Sequence, residues 1–201
     1  MSIRARVPVT IRGDVKTEVI SFSLKGQETE DVALVFYGGQ KLPSPLVRIH
    51  SECLTGDVFG SKRCDCGRQL QEAIDRMAVE GGILIYLRQE GRGIGLYNKL
   101  DAYKLQIEEG QDTFEANLHL GLPVDSRDYK IAADMLKDLN ISSVRLLTNN
   151  PDKVRMLEDN GITIAELIPT GVFVTKDNLA YLKAKKKHGH TISDDLKDEC
   201  A

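Results

Sequence analysis

Apolar residues follow two spacings along this chain, one typical of strands and the other typical of helices. Three short apolar runs, at 33–37, 46–50 and 83–87, are predicted to be strands. From Leu70 onward, apolar residues recur at helical spacing until the Gly81-Gly82 pair, where a helix is expected to end. The first half of the chain therefore predicts strands, with a helix between the second and the third.

The second half continues this alternation. Two helices, a strand, a further helix and a last strand are predicted in that order, at 96–107, 131–139, 144–148, 151–161 and 162–167. Asn149 or Asn150 is suited to cap the helix that begins at Pro151, and Gly161 is placed to end it. Alternating strands and helices predict an α/β or α+β layered fold.

Length and composition are compatible with one domain. The chain has 201 residues, of which 41% are hydrophobic, so it can bury a core without disulfide bonds. No internal repeat or low-complexity segment divides it, and we expect a single domain over residues 1–182. Residues 183–201 are basic and then acidic, which favours a solvated helix end and a flexible tail. Phosphate contact or a dimer contact is the alternative for that segment.

Charge and hydropathy exclude some classes of protein. No apolar leader and no apolar run of membrane-spanning length is present, so no membrane association is expected. The net charge is −3 and no basic stripe follows the chain, which disfavours nucleic acid as a partner. Clustered cysteines without a secretory leader indicate a reducing cytoplasm.

Three of the four cysteines, Cys53, Cys64 and Cys66, fall within one short segment. Structural zinc sites are normally closed by four protein ligands, whereas catalytic sites keep one position open for water or substrate. Three thiolates without a fourth therefore favour a catalytic zinc ion, which makes hydroxide available near neutral pH. Two alternatives stay open: a structural Cys3His site closed by His50 or His119, and thiols that bind no metal.

Three further clusters are candidates for chemistry. A glycine-rich turn at 88–95 follows a predicted strand and precedes a helix, where a phosphate can bind; within it, the carboxylate of Glu90 suits the paired N–H donors of guanine. The segments 125–128 and 148–153 combine charged, hydroxyl and amide side chains at the starts of predicted helices. Taken singly, each could also be a solvated or capped turn.

Taken together, these stretches resemble one family, GTP cyclohydrolase II. The resemblance covers roughly residues 30 to 168 and is based on the segments 48–57, 63–67, 88–96 and 146–153. It implies a mixed sheet flanked by helices. It also implies the hydrolysis of GTP at the imidazole ring with loss of formate and pyrophosphate, giving 2,5-diamino-6-ribosylamino-4(3H)-pyrimidinone 5′-phosphate at the start of riboflavin biosynthesis.

The resemblance also implies roles for individual residues. Cys53, Cys64 and Cys66 match the ligands of one Zn²⁺ per subunit, with water in the fourth position. Mg²⁺ accompanies the triphosphate, Asp125 matches a proton acceptor, and Arg127 matches a nucleophile. Because a guanidinium stays protonated, electrostatic stabilisation is an alternative role for Arg127. The positions that match GTP-binding residues are Arg48, Ile49, His50, Ser51, Glu52, Gln69, Glu90, Gly91, Arg92, Thr113, Thr148 and Lys153.

Further expectations concern the base, the phosphates and assembly. Tyr103 matches a tyrosine near the base, although it also suits the core of its helix, while Arg92 and Lys153 are expected to neutralise phosphate charge. Cys200 is not expected to be a ligand. The resemblance implies a homodimer with one activity, because the extra synthase domain of some relatives is not seen. The competing hypotheses are a zinc-stabilised nucleic-acid-binding module and a diverged paralogue that releases only pyrophosphate or stops at the formylated intermediate.

Overall fold

The computed structural model describes residues 1–23, 30–39 and 43–192, without the side chains of residues 113 and 114. The chain divides into two compact units, each made of separate stretches of sequence. The sheet unit comprises Met1–His50, Gln71–Arg88 and Asp128–Thr170. The cysteine unit comprises Ser51–Leu70, Gln89–Arg127 and the chain from Gly171 onward.

The sheet unit contains a seven-stranded mixed sheet. In chain order the strands are β1 (Ser2–Ile11), β2 (Val15–Ser23), β3 (Val32–Phe36), β4 (Leu46–Ser51), β5 (Gly82–Leu87), β6 (Ser143–Leu147) and β7 (Thr163–Ile168). Their order across the sheet is β1-β2-β3-β5-β4-β6-β7. The pairs β1/β2, β2/β3 and β3/β5 are antiparallel, whereas β4/β6 and β6/β7 are parallel. The predicted α/β fold with a mixed sheet is confirmed.

Two helices, α5 (Lys130–Asp138) and α6 (Pro151–Asp159), belong to the sheet unit, and α2 (Cys66–Glu80) continues into it from the cysteine unit. Apolar side chains of the strands and of α5 and α6 form its core; they include Ile49, Ile85, Leu87, Met135, Leu136, Leu146 and Leu157, all fully buried. As predicted, an asparagine caps α6: Asn150 accepts a hydrogen bond from the backbone N–H of Asp152 at 2.9 Å.

The cysteine unit is helical. It contains α1 (Leu54–Asp57), α3 (Leu96–Glu109), α4 (Thr113–His119), α7 (Leu179–Lys187) and a 3₁₀ turn at Glu90–Gly93. Gly91 and Arg92 have φ angles of 63° and 62° within that turn, so the glycine-rich segment folds back sharply before α3 begins. Among the described helices, none has the length and apolar character needed to cross a lipid bilayer.

Besides the short helices α1 and α4, which were not predicted, the two ends of the chain add to the expected elements. Strands β1 and β2 pair over their whole length around a turn at Arg12-Gly13, although no strand was predicted before residue 33. At the other end, the boundary expected at residue 182 falls inside α7, which continues to Lys187 and buries Leu182 fully. The segment 183–187 is thus the end of a helix, and residues 193–201, where the flexible tail was expected, lie outside the described residues.

Candidate metal centre and nucleotide site

The three clustered cysteines bring their sulfur atoms together. The Sγ atoms of Cys53, Cys64 and Cys66 all lie within 4.8 Å of one another, and Cys53 Sγ is 3.7 Å from Cys64 Sγ. Tetrahedral zinc with Zn–S bonds of 2.3 Å places its sulfur ligands about 3.8 Å apart. The spacing of the thiols therefore fits one zinc ion. No histidine or carboxylate joins this group among the described residues.

Neither histidine proposed to close a Cys3His site belongs to the cluster. In the sheet unit, His50 stacks on Tyr86 with ring centroids 5.5 Å apart. In the cysteine unit, His119 Nδ1 lies 2.8 Å from Gln111 Nε2, on an exposed surface. Within the part of the chain that the structure describes, the group that could hold a metal ion thus consists of three cysteines. Three protein ligands are typical of a catalytic zinc site, and four of a structural one.

Close backbone packing positions the thiols. A Cβ atom on Gly56 would lie 2.9 Å from Cys64 Sγ and 3.2 Å from Cys53 Sγ, and a Cβ on Gly67 would lie 2.2 Å from the carbonyl oxygen of Gly56. Glycine at both positions therefore lets the loop fold tightly around the sulfurs. The carboxylate of Asp57 accepts a hydrogen bond from the backbone N–H of Cys53 at 3.0 Å and fixes the start of α1.

Without a metal, the three thiols share one negative charge. Hydrogen bonds from Cys64 and Cys66 hold the pKa of the Cys53 thiol well below its usual range; burial opposes this effect, and the Lys99 ammonium adds to it. The pKa of Cys64 is raised to about 12, chiefly because its S–H donates a hydrogen bond to the Cys53 sulfur. The pKa of Cys66 is raised for the same reason. A metal ion that takes all three thiolates would displace the remaining protons.

The cluster opens into a cavity that lies wholly within the cysteine unit. About 100 Å³ is accessible to water, which is less than the 300–1,000 Å³ of most ligand pockets, so it can hold only part of a nucleotide. Among the residues expected to bind GTP, those that line it are Ser51, Glu52, Glu90, Gly91 and Arg92. The Ser51 hydroxyl and the Gln106 amide nitrogen are buried without a hydrogen-bond partner among the described residues. Both are available to a ligand.

Glu90 makes contacts within the protein. Its Oε2 accepts a hydrogen bond from the backbone N–H of Leu54 at 2.6 Å. Its Oε1 accepts from the backbone N–H of Gly91 and from Lys99 Nζ, each at 2.8 Å. The Glu90 carboxylate thus accepts hydrogen bonds from protein groups beside the thiol cluster. Its expected role in guanine recognition stays a prediction.

Asp125 and Arg127 form a close pair, and Arg127 lines the cavity. Arg127 Nε donates to both carboxylate oxygens of Asp125, at 2.9 and 3.1 Å, and its Nη2 donates to Oδ2. Burial raises the pKa of Asp125, but the hydrogen bonds and charge of Arg127 outweigh it, so this pKa lies below its usual value. The loop is held in place because the backbone N–H of Ser126 donates to the carbonyl of Arg92 at 2.9 Å. Asp125 is therefore ionised and Arg127 protonated near neutral pH.

Gln69 and Tyr103, two further expected residues, also lie in the cysteine unit. Gln69 is buried, and its Nε2 donates to Asp65 at 2.7 Å. Tyr103 lines the cavity, and the guanidinium carbon of Arg63 lies over its ring, 4.9 Å from the ring centroid. Burial raises the pKa of Tyr103 to about 12. Thr113 is the first residue of α4, and its side chain lies outside the described atoms.

The other expected residues lie in the sheet unit. Because β4 and β6 are parallel, their carboxyl ends lie at the same edge of the sheet, where α/β folds commonly bind ligands. Arg48 Nη1 donates to the carbonyl of Leu147 at 3.1 Å, and Lys153 Nζ donates to the carbonyl of Ile49 at 2.7 Å. Thr148 is buried and accepts from a backbone N–H through its hydroxyl. Arg48, Ile49, His50, Thr148 and Lys153 therefore gather at one edge of this unit.

Comparison with known proteins identifies the family of this chain. The profile of the family described as GTP cyclohydrolase II matches residues 2–169. This chain belongs to the GTP cyclohydrolase II family. The GTP cyclohydrolase-2 of Aliivibrio salmonicida (strain LFI1238) is 53% identical over 193 residues, covering 94% of this chain and 96% of that protein. The GTP cyclohydrolase-2 of Vibrio cholerae serotype O1 is 51% identical over 190 residues, covering 93% and 96%.

A relative with a longer chain also matches. A riboflavin biosynthesis protein of Bacillus cereus (strain G9842) is 50% identical over 195 residues, which make up 95% of this chain and 49% of that protein. The GTP cyclohydrolase II profile ends at residue 169, yet the cavity wall includes Tyr181, Lys185 and His190. In this member of the family, the chain beyond the profile match thus adds to the cavity.

Sequence reasoning missed several residues of the cavity wall. On α3, Lys99, Tyr103 and Gln106 follow one another at intervals of four and three residues and all line the cavity; only Tyr103 was considered from the sequence. That polar stripe at helical spacing was a usable signal. Lys185 Nζ lies 3.1 Å from the Oδ1 of Asp65, which is 1% exposed and sits between two of the cysteines. Nothing in the sequence pattern connects these two distant residues.

Proposed function

We propose that this protein is a zinc-dependent GTP cyclohydrolase. It opens the imidazole ring of GTP and releases formate and pyrophosphate to give 2,5-diamino-6-ribosylamino-4(3H)-pyrimidinone 5′-phosphate, the first step of riboflavin biosynthesis. The observation that carries this proposal is the three-thiol cluster, with sulfurs within 4.8 Å of one another, set in a cavity lined by residues that match the family's GTP-binding positions.

Cys53, Cys64 and Cys66 are the proposed zinc ligands. When bound there, zinc supplies a Lewis acid and brings the pKa of a coordinated water towards neutrality. Two features of the protein hold the ligand loop in one geometry. The backbone packs tightly at Gly56, and the backbone N–H of Cys53 donates a hydrogen bond to the Asp57 carboxylate. A ligand set held in this way needs little reorganisation when the metal binds.

Proton transfer and phosphate chemistry are assigned to Asp125 and Arg127. Asp125, whose carboxylate is ionised, is the proposed proton acceptor. Arg127 donates three hydrogen bonds to that carboxylate through its guanidinium, which carries a permanent positive charge. This favours stabilisation of negative charge at the α-phosphate over nucleophilic attack by Arg127. Arg92 and Lys153 are the further cations proposed to neutralise the triphosphate, with Mg²⁺ as its partner.

The residues proposed to contact GTP are those that match the family's GTP-binding positions. From the cysteine unit come Ser51, Glu52, Gln69, Glu90, Gly91, Arg92 and Thr113, and from the sheet unit come Arg48, Ile49, His50, Thr148 and Lys153. We also infer a homodimer with one zinc ion per subunit, as the family resemblance implies. Light scattering coupled to size exclusion and metal analysis of the same peak would measure both.

The test is a single incubation of the zinc-loaded protein with GTP and Mg²⁺, in which formate, pyrophosphate and the absorbance of the pyrimidine product are followed together. Equal amounts of all three support the proposal. Pyrophosphate without formate would replace it with the diverged paralogue, and tight zinc without turnover would favour a structural metal. Cys64→Ser should abolish formate release, whereas Cys200→Ser serves as the matched control for loss of a thiol outside the cluster.

A further inference from the structure

A lysine that is not among the expected site residues lies against the thiol cluster. Lys99, on α3, is 8% exposed. Its Nζ lies 2.8 Å from Glu90 Oε1, 3.1 Å from Thr55 Oγ1 and 3.2 Å from Cys53 Sγ. An ammonium group has three N–H donors, and each of these contacts can take one. A lysine buried to this extent is rare unless it is paired with an anion.

Glu90 connects this ammonium to the backbone of the ligand loop. Its Oε1 accepts from Lys99, while its Oε2 accepts from the N–H of Leu54, the residue directly after Cys53. Lys99 therefore acts on Cys53 in two ways: directly at the sulfur, and through the carboxylate that holds the adjoining peptide. Both contacts belong to the cysteine unit.

The charge of the proposed metal site requires a compensating cation. Three thiolates and one Zn²⁺ sum to a net charge of −1, and Cys53 and Cys64 are both buried. A buried net charge without a partner is costly, whereas a neighbouring cation that donates a hydrogen bond to it removes much of that cost. Groups that hydrogen-bond to metal ligands also orient them and tune metal affinity. Lys99 is in place to do both.

We propose that Lys99 is a positioning residue of the metal centre, which donates a hydrogen bond to the Cys53 thiolate, balances the charge of the three-thiolate site and is itself oriented by Glu90. This inference rests on the proposed metal site of the preceding section. It assigns Glu90 a second role that needs no substrate. It also predicts that metal affinity depends on a residue of α3 that is not a ligand.

The test measures metal binding on the full chain, without catalysis. Zinc affinity is measured by competition with a chromophoric chelator, and Co²⁺ replaces zinc to report the sulfur-to-cobalt charge-transfer band. Lys99→Met should weaken zinc binding about 10- to 100-fold and shift that band, because the thiolate loses its donor. Lys99→Arg, which keeps the charge, should restore part of the affinity. Lys104→Met, at an exposed position of the same helix, is the control and should bind zinc as the wild type does.

Each outcome is decisive. If Lys99→Met binds zinc within twofold of the wild type with an unchanged cobalt band, the inference is overturned, even if the variant melts at a lower temperature. If the wild type itself binds no zinc, the proposed metal function fails first and the inference fails with it. If Lys99→Met does not fold, Glu90→Gln takes its place: it keeps the lysine but removes its anionic partner, and it should also weaken zinc binding severalfold. Unchanged affinity in that variant would overturn the inference.

Discussion

Replacement of Gly56 by alanine should weaken zinc binding without unfolding the protein. Gly56 lies in α1, and its φ is not in the left-handed region, so the backbone accepts a side chain. The new Cβ would nevertheless lie 2.9 Å from Cys64 Sγ and 3.2 Å from both Cys53 Sγ and Cys66 Cβ. Ordinary contacts between such atoms are about 3.5–4.0 Å. The methyl group therefore overlaps two proposed ligands by several tenths of an ångström.

The loss of zinc affinity can be estimated from the overlap between the new methyl group and the proposed zinc ligands. Metal sites tolerate ligand displacements of about 0.2 Å, which is less than this overlap. In the metal-free protein no metal–sulfur bond fixes the distances between the thiols, whereas bound zinc would hold its sulfur ligands about 3.8 Å from one another. Overpacking of a filled site costs about 1–3 kcal/mol. Because each 1.4 kcal/mol changes a binding constant by a factor of ten, zinc affinity should fall about 5- to 150-fold. Metal-free stability should change less, because alanine favours helix over glycine by up to about 1 kcal/mol.

The assay pairs chelator competition for zinc with thermal melts of the metal-free and zinc-loaded protein. Gly56→Ala should keep the far-ultraviolet circular dichroism of the wild type and, at excess zinc, lose about 1–3 kcal/mol of the stabilisation that zinc confers. Val58→Ala, at an exposed residue directly after α1, is the matched control and should behave as the wild type. Zinc affinity of Gly56→Ala within twofold of the wild type would refute the reasoning, because the methyl group would then have found room that the packing does not provide.

Three other predictions follow from the same unit. Arg127→Ala should chiefly slow pyrophosphate release; unaltered release in a quenched-flow assay would remove Arg127 from the mechanism. Because its folded-state pKa is lowered, Asp125 adds stability that is present above its unfolded pKa of about 3.9 and is lost as pH falls through the folded value. The difference in unfolding free energy between wild type and Asp125→Asn should shrink below about pH 4, and a constant difference would contradict the assignment. Lys185→Ala leaves the buried Asp65 without its ion pair and should cost about 2–4 kcal/mol in urea denaturation, whereas the exposed Lys183→Ala should stay within about 0.5 kcal/mol; equal effects would count against the pair.

Local signals were sufficient for several elements of the fold. Asn150 caps α6 as predicted, because its short polar side chain reaches the N–H of Asp152 within the same turn. The strand at 83–87 was predicted from a continuous apolar run and is observed as β5. The hairpin of β1 and β2 had a local signal that was not used: Ile3, Ala5, Val7, Val9 and Ile11 alternate with other residues along β1. Because most residues of β1 are exposed, its sequence lacks the continuous apolar run by which the buried strands were predicted.

By itself, the sequence determined the three cysteines, the absence of a nearby fourth, the order of the strands from β3 onward with helices α2, α3, α5 and α6 among them, and the resemblance to one family. All of these depend on residue type and short-range spacing, which the linear chain carries directly. Only the tertiary structure decided that Lys99 meets Cys53, 46 residues away, that Glu90 turns its carboxylate to Leu54, and that Lys185 pairs with Asp65 over 120 residues. A helical stripe shows which side chains share a face but not what packs against that face, because such contacts depend on how distant segments fold together.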